Sequence, residues 1–233
     1  MTHPFKIAGL AASSLIAAAT FVSAHGDVKP QAVDTAGLPE TGDEWLIENP
    51  YRAETAGEEV WLKAVEIGAS GYNQNCARCH GLEVVSGGLA PDLRFLEAEE
   101  YGDEWYMERF REGYTQNGIT KMPAFGELLG QDAAWAIRTY IETRPDGDAM
   151  EEYADELKAM RDQLQMYAEG DAEGADPDAL KSRLSEIAGS IETLSGAPVA
   201  DSVAFRAANL IDGTQARYKS AAETLTIGLS AAQ

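Results

Sequence analysis

Apolar positions along this chain recur at helical spacing wherever they recur at all. Thr55 and Glu58 form an S/T-x-x-E pattern in which each side chain can reach the other's free backbone N–H, and Val60, Ala64 and Ile67 follow on one face. That pattern predicts a helix over residues 56–70. Tyr106, Phe110 and Tyr114 recur every four residues and predict a second helix over 103–114. Ala134, Ile137 and Ile141, with Pro145 just beyond, predict a third over 132–143. Strand signals are nearly absent. Residues 25–54, rich in Pro, Gly, Asp and Glu without periodicity, read as an extended, flexible lead-in.

The character of the chain changes after Pro145-Asp146-Gly147-Asp148: aromatics thin out and Ala, Leu, Glu and Lys take over. A domain boundary is placed there. Tyr153, Leu157, Met160, Leu164 and Tyr167 follow a 4-3-4-3 spacing, as do Leu180, Leu184, Ile187, Ile191 and Leu194, and Asp176-Pro177 opens the second run as cap and first turn. A third helical stretch, interrupted near Gly213, is predicted over 202–229. Each seam is shorter than a sustained coiled coil requires, so residues 149–233 read as a small antiparallel helical bundle or hairpin.

The first 24 residues stand apart. Lys6 sits in a short polar start, residues 7–22 are almost wholly apolar or small, and Val22-Ser23-Ala24 offers the small residues of a cleavage site. This is the layout of a secretory signal, too short and too rich in Ala and Ser for a membrane span, so the mature chain is expected to begin near His25 in the periplasm, with no membrane insertion after cleavage. The formal charge of -21 becomes one unit more negative once Lys6 is removed. Such acidity excludes nucleic acid as a partner and suits association through complementary charge.

The chemistry concentrates at the two cysteines of the chain, in Cys76-Ala77-Arg78-Cys79-His80. Spaced three apart on a helical turn, both sulfurs face one side, where they can form thioethers to the two vinyl groups of a single haem c, with His80 held against the iron. A zinc site would need two more ligands, yet beyond the signal only His25 remains, and no βαβ unit suggests a thioredoxin-like pair. Elimination also reaches the other axial position. Met107 and Met160 fall on apolar faces, and Met150 and Met166 lie beyond the boundary. Met122 sits in the loop Gly118-Ile119-Thr120-Lys121-Met122-Pro123, where Pro123 stiffens the backbone that would present a sulfur. A packing methionine beside an open iron would instead make a haem enzyme or gas sensor.

With these residues in view the chain resembles the class I cytochromes c. The resemblance rests on Gly68-x-x-x-Tyr72-x-x-x-Cys76 with its haem motif, Ala90-Pro91-Asp92-Leu93, the Met122-Pro123 loop and the aromatic third helix. More narrowly, His25-Gly26-Asp27-Val28, Tyr72-Asn73-Gln74-Asn75, His80-Gly81-Leu82-Glu83, Ser86-Gly87-Gly88-Leu89 and Trp135-Ala136-Ile137-Arg138-Thr139-Tyr140 are similar to the periplasmic electron acceptors of PQQ-dependent alcohol dehydrogenases, the cytochrome c-550 and cytochrome cL type. The similarity covers about residues 25–145 and leaves the tail outside it.

The resemblance implies an all-α class I cytochrome c domain over 55–148; the helical module of 149–233 read from the apolar spacing follows it. It implies that Gly68 and Tyr72 let the first helix cross the last near Tyr140, and that the carbonyl of Pro91 accepts the proton on His80. It also implies an electron carrier rather than an enzyme, with a quinoprotein alcohol dehydrogenase as donor and a downstream cytochrome or oxidase as acceptor. The tail would serve a homodimer, dock on a partner, or simply pack against the haem domain. Trp105 is a candidate donor to a haem propionate, and His25 a weak candidate copper ligand.

Overall fold

The computed structural model describes residues 30–171, 174, 176–200 and 202–231; the predicted signal segment and His25 lie outside them. The elements run α1 (Ala53–Ala56), α2 (Glu58–Asn75), α3 (Ala77–His80), two 3-10 turns (Leu82–Val84 and Leu93–Phe95), α4 (Glu100–Glu112), β1 (Tyr114–Gln116), β2 (Ile119–Met122) and α5 (Gly126–Glu142). Then come α6 (Gly147–Glu151), α7 (Ala154–Glu169), α8 (Pro177–Ser190), α9 (Val203–Leu210) and α10 (Gln215–Ala231). The fold is all-α apart from one short antiparallel ribbon. None of the described helices is long and apolar enough to cross a membrane.

One core gathers around the crossing of α2 and α5, where Ala64, Val65, Tyr72, Ala134, Trp135, Ile137, Tyr140 and Ile141 are buried with Tyr106, Met107 and Phe110 from α4. The helices touch because Gly68 has no side chain: a Cβ there would lie 1.9 Å from the Ala136 carbonyl oxygen and 2.8 Å from Tyr140 Cβ. Just above, the rings of Tyr72 and Tyr140 pack at 5.4 Å. A second core joins α7, α8, α9 and α10 through Leu157, Met160, Leu164, Leu180, Leu184, Ile187, Ala204, Ala221 and Leu225. Asp176 caps α8 by accepting from Ala179 N at 2.9 Å, with Pro177 in the first turn, and Ser202 caps α9 at 3.1 Å to Phe205 N. Arg183 forks onto both oxygens of Glu156 at 2.7 and 2.9 Å, tying α8 to α7.

Four sequence expectations need correction. Thr55 belongs to α1, and Gly57 at φ +82 separates that turn from α2, so the pair with Glu58 is not a capping box. The second helix stops at Glu112; Gly113 at φ +70 turns the chain into β1, and Tyr114 lies exposed on the ribbon rather than on a helix face. The stretch read as a loop is a hairpin: Asn117 at φ +52 and Gly118 at φ +76 form the two-residue connection that Asn-Gly favours.

Nor is the lead-in loose where it is described. Gln131 accepts from Leu46 N at 2.5 Å and donates to the carbonyls of Gly42 and Glu44, while Asp132 accepts from Thr41 N at 3.0 Å. Asn49 and Tyr51 are buried against α5. Their polar groups join a charged cluster sealed inside the domain: Asp103 accepts from Arg138 at 2.9 Å, from Arg52 at 2.8 Å and from Asn49 N at 2.9 Å, and Arg52 also reaches Glu142 at 2.8 Å. Burial pushes the Glu142 carboxyl up, against the pull of Arg138 and Arg52. Each buried charge has partners, which is the condition under which burial is tolerated.

Candidate functional site

The haem motif is the continuation of α2. Cys76 donates its N–H to Tyr72 at 2.7 Å, and Cys79 and His80 both donate to the Cys76 carbonyl at 3.0 Å, so the motif is one tight helical turn. Residues three and four apart on such a turn share a face, which puts Cys76, Cys79 and His80 on one wall. Gly81 at φ +86 ends the turn; any side chain there would strike the Val85 carbonyl oxygen at 1.9 Å. Tyr72 fixes the exit by donating its hydroxyl to Gly81 O at 2.9 Å.

His80 is buried, and its Nδ1 lies 2.9 Å from the carbonyl oxygen of Pro91. A carbonyl can only accept, so Nδ1 carries the proton and Nε2 keeps its lone pair. Burial lowers the His80 pKa, outweighing the upward pull of Pro91 and Asp92, and the ring stays neutral at pH 7. The loop that presents Pro91 is braced within itself. Ser86 Oγ donates to Ala90 O at 2.5 Å, and Asp92 accepts from Arg94 N and Nε at 3.0 Å and Nη2 at 2.8 Å. Burial works against the Asp92 charge, but these bonds hold its carboxyl below the usual range.

Met122 comes to the site from the other side, at the end of β2. Its backbone is wedged against Gly113, where a Cβ would lie 2.4 Å from the Met122 carbonyl oxygen, and the chain beyond is anchored by Phe125 N donating to Phe110 O at 2.8 Å. Cys76, Cys79, His80, Pro91 and Met122 therefore line one cavity of about 570 Å³, walled by apolar Leu89, Leu93, Phe110, Phe125 and Ile141. Trp105 is in the same wall. Met107 and Met160 are core residues; Met150 is buried under the tail and Met166 half-exposed on it, all four outside the cavity lining.

Sequence reasoning missed the cavity's cations. Arg78, Arg109 and Lys121 line it and, among the described residues, no acidic one does, in a chain with 39 Asp and Glu against 18 Lys and Arg. The Arg109 guanidinium lies 5.5 Å from the Trp105 ring and 5.2 Å from that of Tyr114, a placement that needs the unforeseen ribbon.

A neutral imidazole and a thioether on walls of one largely apolar cavity, with two thiols on the same helical turn as the imidazole, are the donor set for a haem attached through its vinyl groups. The class this defines is the c-type cytochrome. Comparison with known proteins agrees. Residues 63–141 match the family described as cytochrome c oxidase, cbb3-type, subunit III. The chain is 53% identical over 137 residues to cytochrome c550 of Pseudomonas aeruginosa, across 59% of this chain and 88% of that protein. It is 34% identical over 82 residues to cytochrome c6 of Euglena gracilis, across 34% of this chain and 92% of that protein. Quinohemoprotein alcohol dehydrogenase ADH-IIG of Pseudomonas putida is 29% identical over 96 residues, 39% of this chain but only 13% of the dehydrogenase. No solved structure gives a significant match. The chain belongs to the class I c-type cytochromes: it binds haem c and transfers electrons, and it carries additional C-terminal helices.

Proposed function

We propose that this protein is a periplasmic carrier that takes single electrons from a PQQ-dependent alcohol dehydrogenase and passes them toward a terminal oxidase. Cys76 and Cys79 would tether one haem through thioethers, and His80 and Met122 would hold its iron. The observation that carries the reading is the convergence of those four residues on one cavity. When bound, the haem supplies a one-electron iron couple. The residues do the rest: Pro91 holds the His80 ring in one tautomer, the apolar wall excludes water, and Met122 closes the iron to small molecules, which favours a carrier over a gas sensor or enzyme.

The donor assignment draws on two supports. Relatives named as quinone-linked alcohol dehydrogenases contain a segment similar to this chain within 11% to 13% of their own length. The phrases around the haem motif are those of separate carriers serving such enzymes. A reduced quinone holds two electrons and this site accepts one, so each turnover of the donor requires two dockings, and a small, weak interface suits that exchange. Exposed Leu89 and Tyr114 beside Arg78 and Lys121 give the cavity mouth an apolar centre with positive charge, opposite in sign to the molecule as a whole. The export signal predicted at residues 1–24 puts the carrier in the same compartment as that donor.

The test is reduction by the donor itself. Mixed at micromolar concentration with a quinoprotein alcohol dehydrogenase and its alcohol, without dye, the haem should be reduced within the turnover time of the enzyme. An oxidised spectrum that persists would remove the donor assignment and leave the haem reading intact.

A further inference from the structure

The loop after the haem turn is held in a backbone conformation its residues resist. Glu83 at φ +54 and Val84 at φ +66 both lie in the left-handed region, and Val84 is a β-branched residue with no exposed surface. Such a conformation persists only where the surroundings over-determine it. The surroundings here come from the end of α5, 61 residues further along the chain. Arg144, buried at the end of α5, donates from Nη1 to the Glu83 carboxylate at 2.5 Å and stacks 4.4 Å from the Tyr140 ring, which itself packs on Tyr72.

Arg144 is in turn held by the tail. Pro145 bridges to Thr193, and Asp146 N donates to Glu192 O at 2.8 Å. Ser195 Oγ donates to Glu142 O at 2.5 Å, while the Ser195 carbonyl accepts from Ala98 N at 2.9 Å. Ala200 is buried in the haem-domain core rather than in that of the bundle. Residues 192–200 thus lie as a strap across the end of α5, and the bundle holds both ends of the strap.

We infer that Arg144 is a positioning residue for the haem turn, and that the C-terminal module acts through it as a brace on the loop 81–84. The brace fixes the exit of the haem turn, where Gly81 directly follows His80 and accepts from the Tyr72 hydroxyl, against an opening that would let water reach the cavity, and so holds the reduction potential up. Glu83 and Arg144 work as one unit. Their effects on the potential therefore have the same sign although their charges are opposite.

The inference rests on haem attachment at Cys76 and Cys79, and the experiment separates the two. Full-length, haem-loaded protein is compared with Glu83→Gln, Arg144→Met and the double variant by optical redox titration. Amide exchange is followed at Val85, whose N–H donates to Leu82 O at 3.0 Å. A colourless protein fails the haem reading. In coloured protein the brace predicts a midpoint lowered by both single variants, a double variant no lower than the lower single, and Val85 exchange faster by about tenfold in each. Ser195→Ala, which leaves both charges in place, should also speed Val85 exchange.

If the two charges act on the iron independently, removing the carboxylate raises the midpoint, removing the guanidinium lowers it, and the double variant cancels. That pattern overturns the inference, as does unchanged Val85 exchange. Glu83 is half-exposed, so its variant folds even where Arg144→Met does not, and the sign of its shift decides alone.

Discussion

Replacing Gly68 by Ala places a methyl carbon 1.9 Å from the Ala136 carbonyl oxygen, where ordinary contact begins at 3.4 Å. The obstacle is backbone in the middle of α5, so no side-chain rotation relieves it. The helices must part by about 1.5 Å, which forfeits a large share of the dispersion energy of the flanking contacts, including the Tyr72–Tyr140 pair. Overpacking of this kind costs about 1–3 kcal/mol and sometimes more, against a helix-propensity gain of about 1 kcal/mol. Because the obstacle is backbone, the cost falls at or above the top of that range, about 3–4 kcal/mol, and the net loss should be about 2–3 kcal/mol. At about 2.1 cal/mol/K per residue over roughly 115 residues, that lowers Tm by about 8–12 °C. Thermal unfolding followed at the haem absorption reads it out. Gly189→Ala is the control: it is also helical, but nothing lies within 4 Å of the added Cβ, and it should be neutral or slightly stabilising. A Gly68→Ala melt within about 2 °C of the parent would refute the reasoning.

The sealed charge cluster makes a second prediction: Arg138→Met leaves Asp103 and Glu142 short of a partner at full burial and should cost about 3–5 kcal/mol, seen as an earlier urea midpoint. Asp92 is held below its ordinary pKa of 3.8, so its bonds to Arg94 stabilise the fold fully above about pH 4 and are lost as pH falls through the lowered value. Asp92→Asn should therefore lower stability at pH 6 and lose that deficit as pH falls through the lowered value; a deficit independent of pH would contradict the assignment. In chain produced without haem, burial pushes the Cys76 thiol up to about 12, while Cys79 lies exposed. Iodoacetamide at pH 8 should label Cys79 well before Cys76, by peptide mapping.

Much of this site could be read from the sequence because its chemistry is local. Cys76, Cys79 and His80 form one turn, and Gly68 shows how closely two helices approach. What escaped depends on long-range pairing or on weighing a short signal. Asn117-Gly118 is a hairpin signal in its own right, yet with only three and four residues on its strands it offered no alternation to support it. The lead-in is fixed by single bonds from Gln131 and Asp132 to backbone groups more than 80 residues away, and no periodicity encodes such contacts. Arg144 follows the apolar face of the third helix, and nothing in its spacing names a partner; the fold brings it to Glu83. The cationic lining of the cavity likewise assembles from α3, α4 and β2.

Two side chains, His80 and Met122, decide what the iron can do, and the optical spectrum of the protein matured with haem, compared with Met122→Ala, tests them most directly. The native protein should be low-spin in both oxidation states, with a weak near-infrared sulfur-to-iron band in the oxidised form and no uptake of carbon monoxide when reduced. Met122→Ala should lose that band, turn high-spin and bind carbon monoxide. A native spectrum already high-spin, or a low-spin spectrum untouched by the substitution, would contradict the site as described.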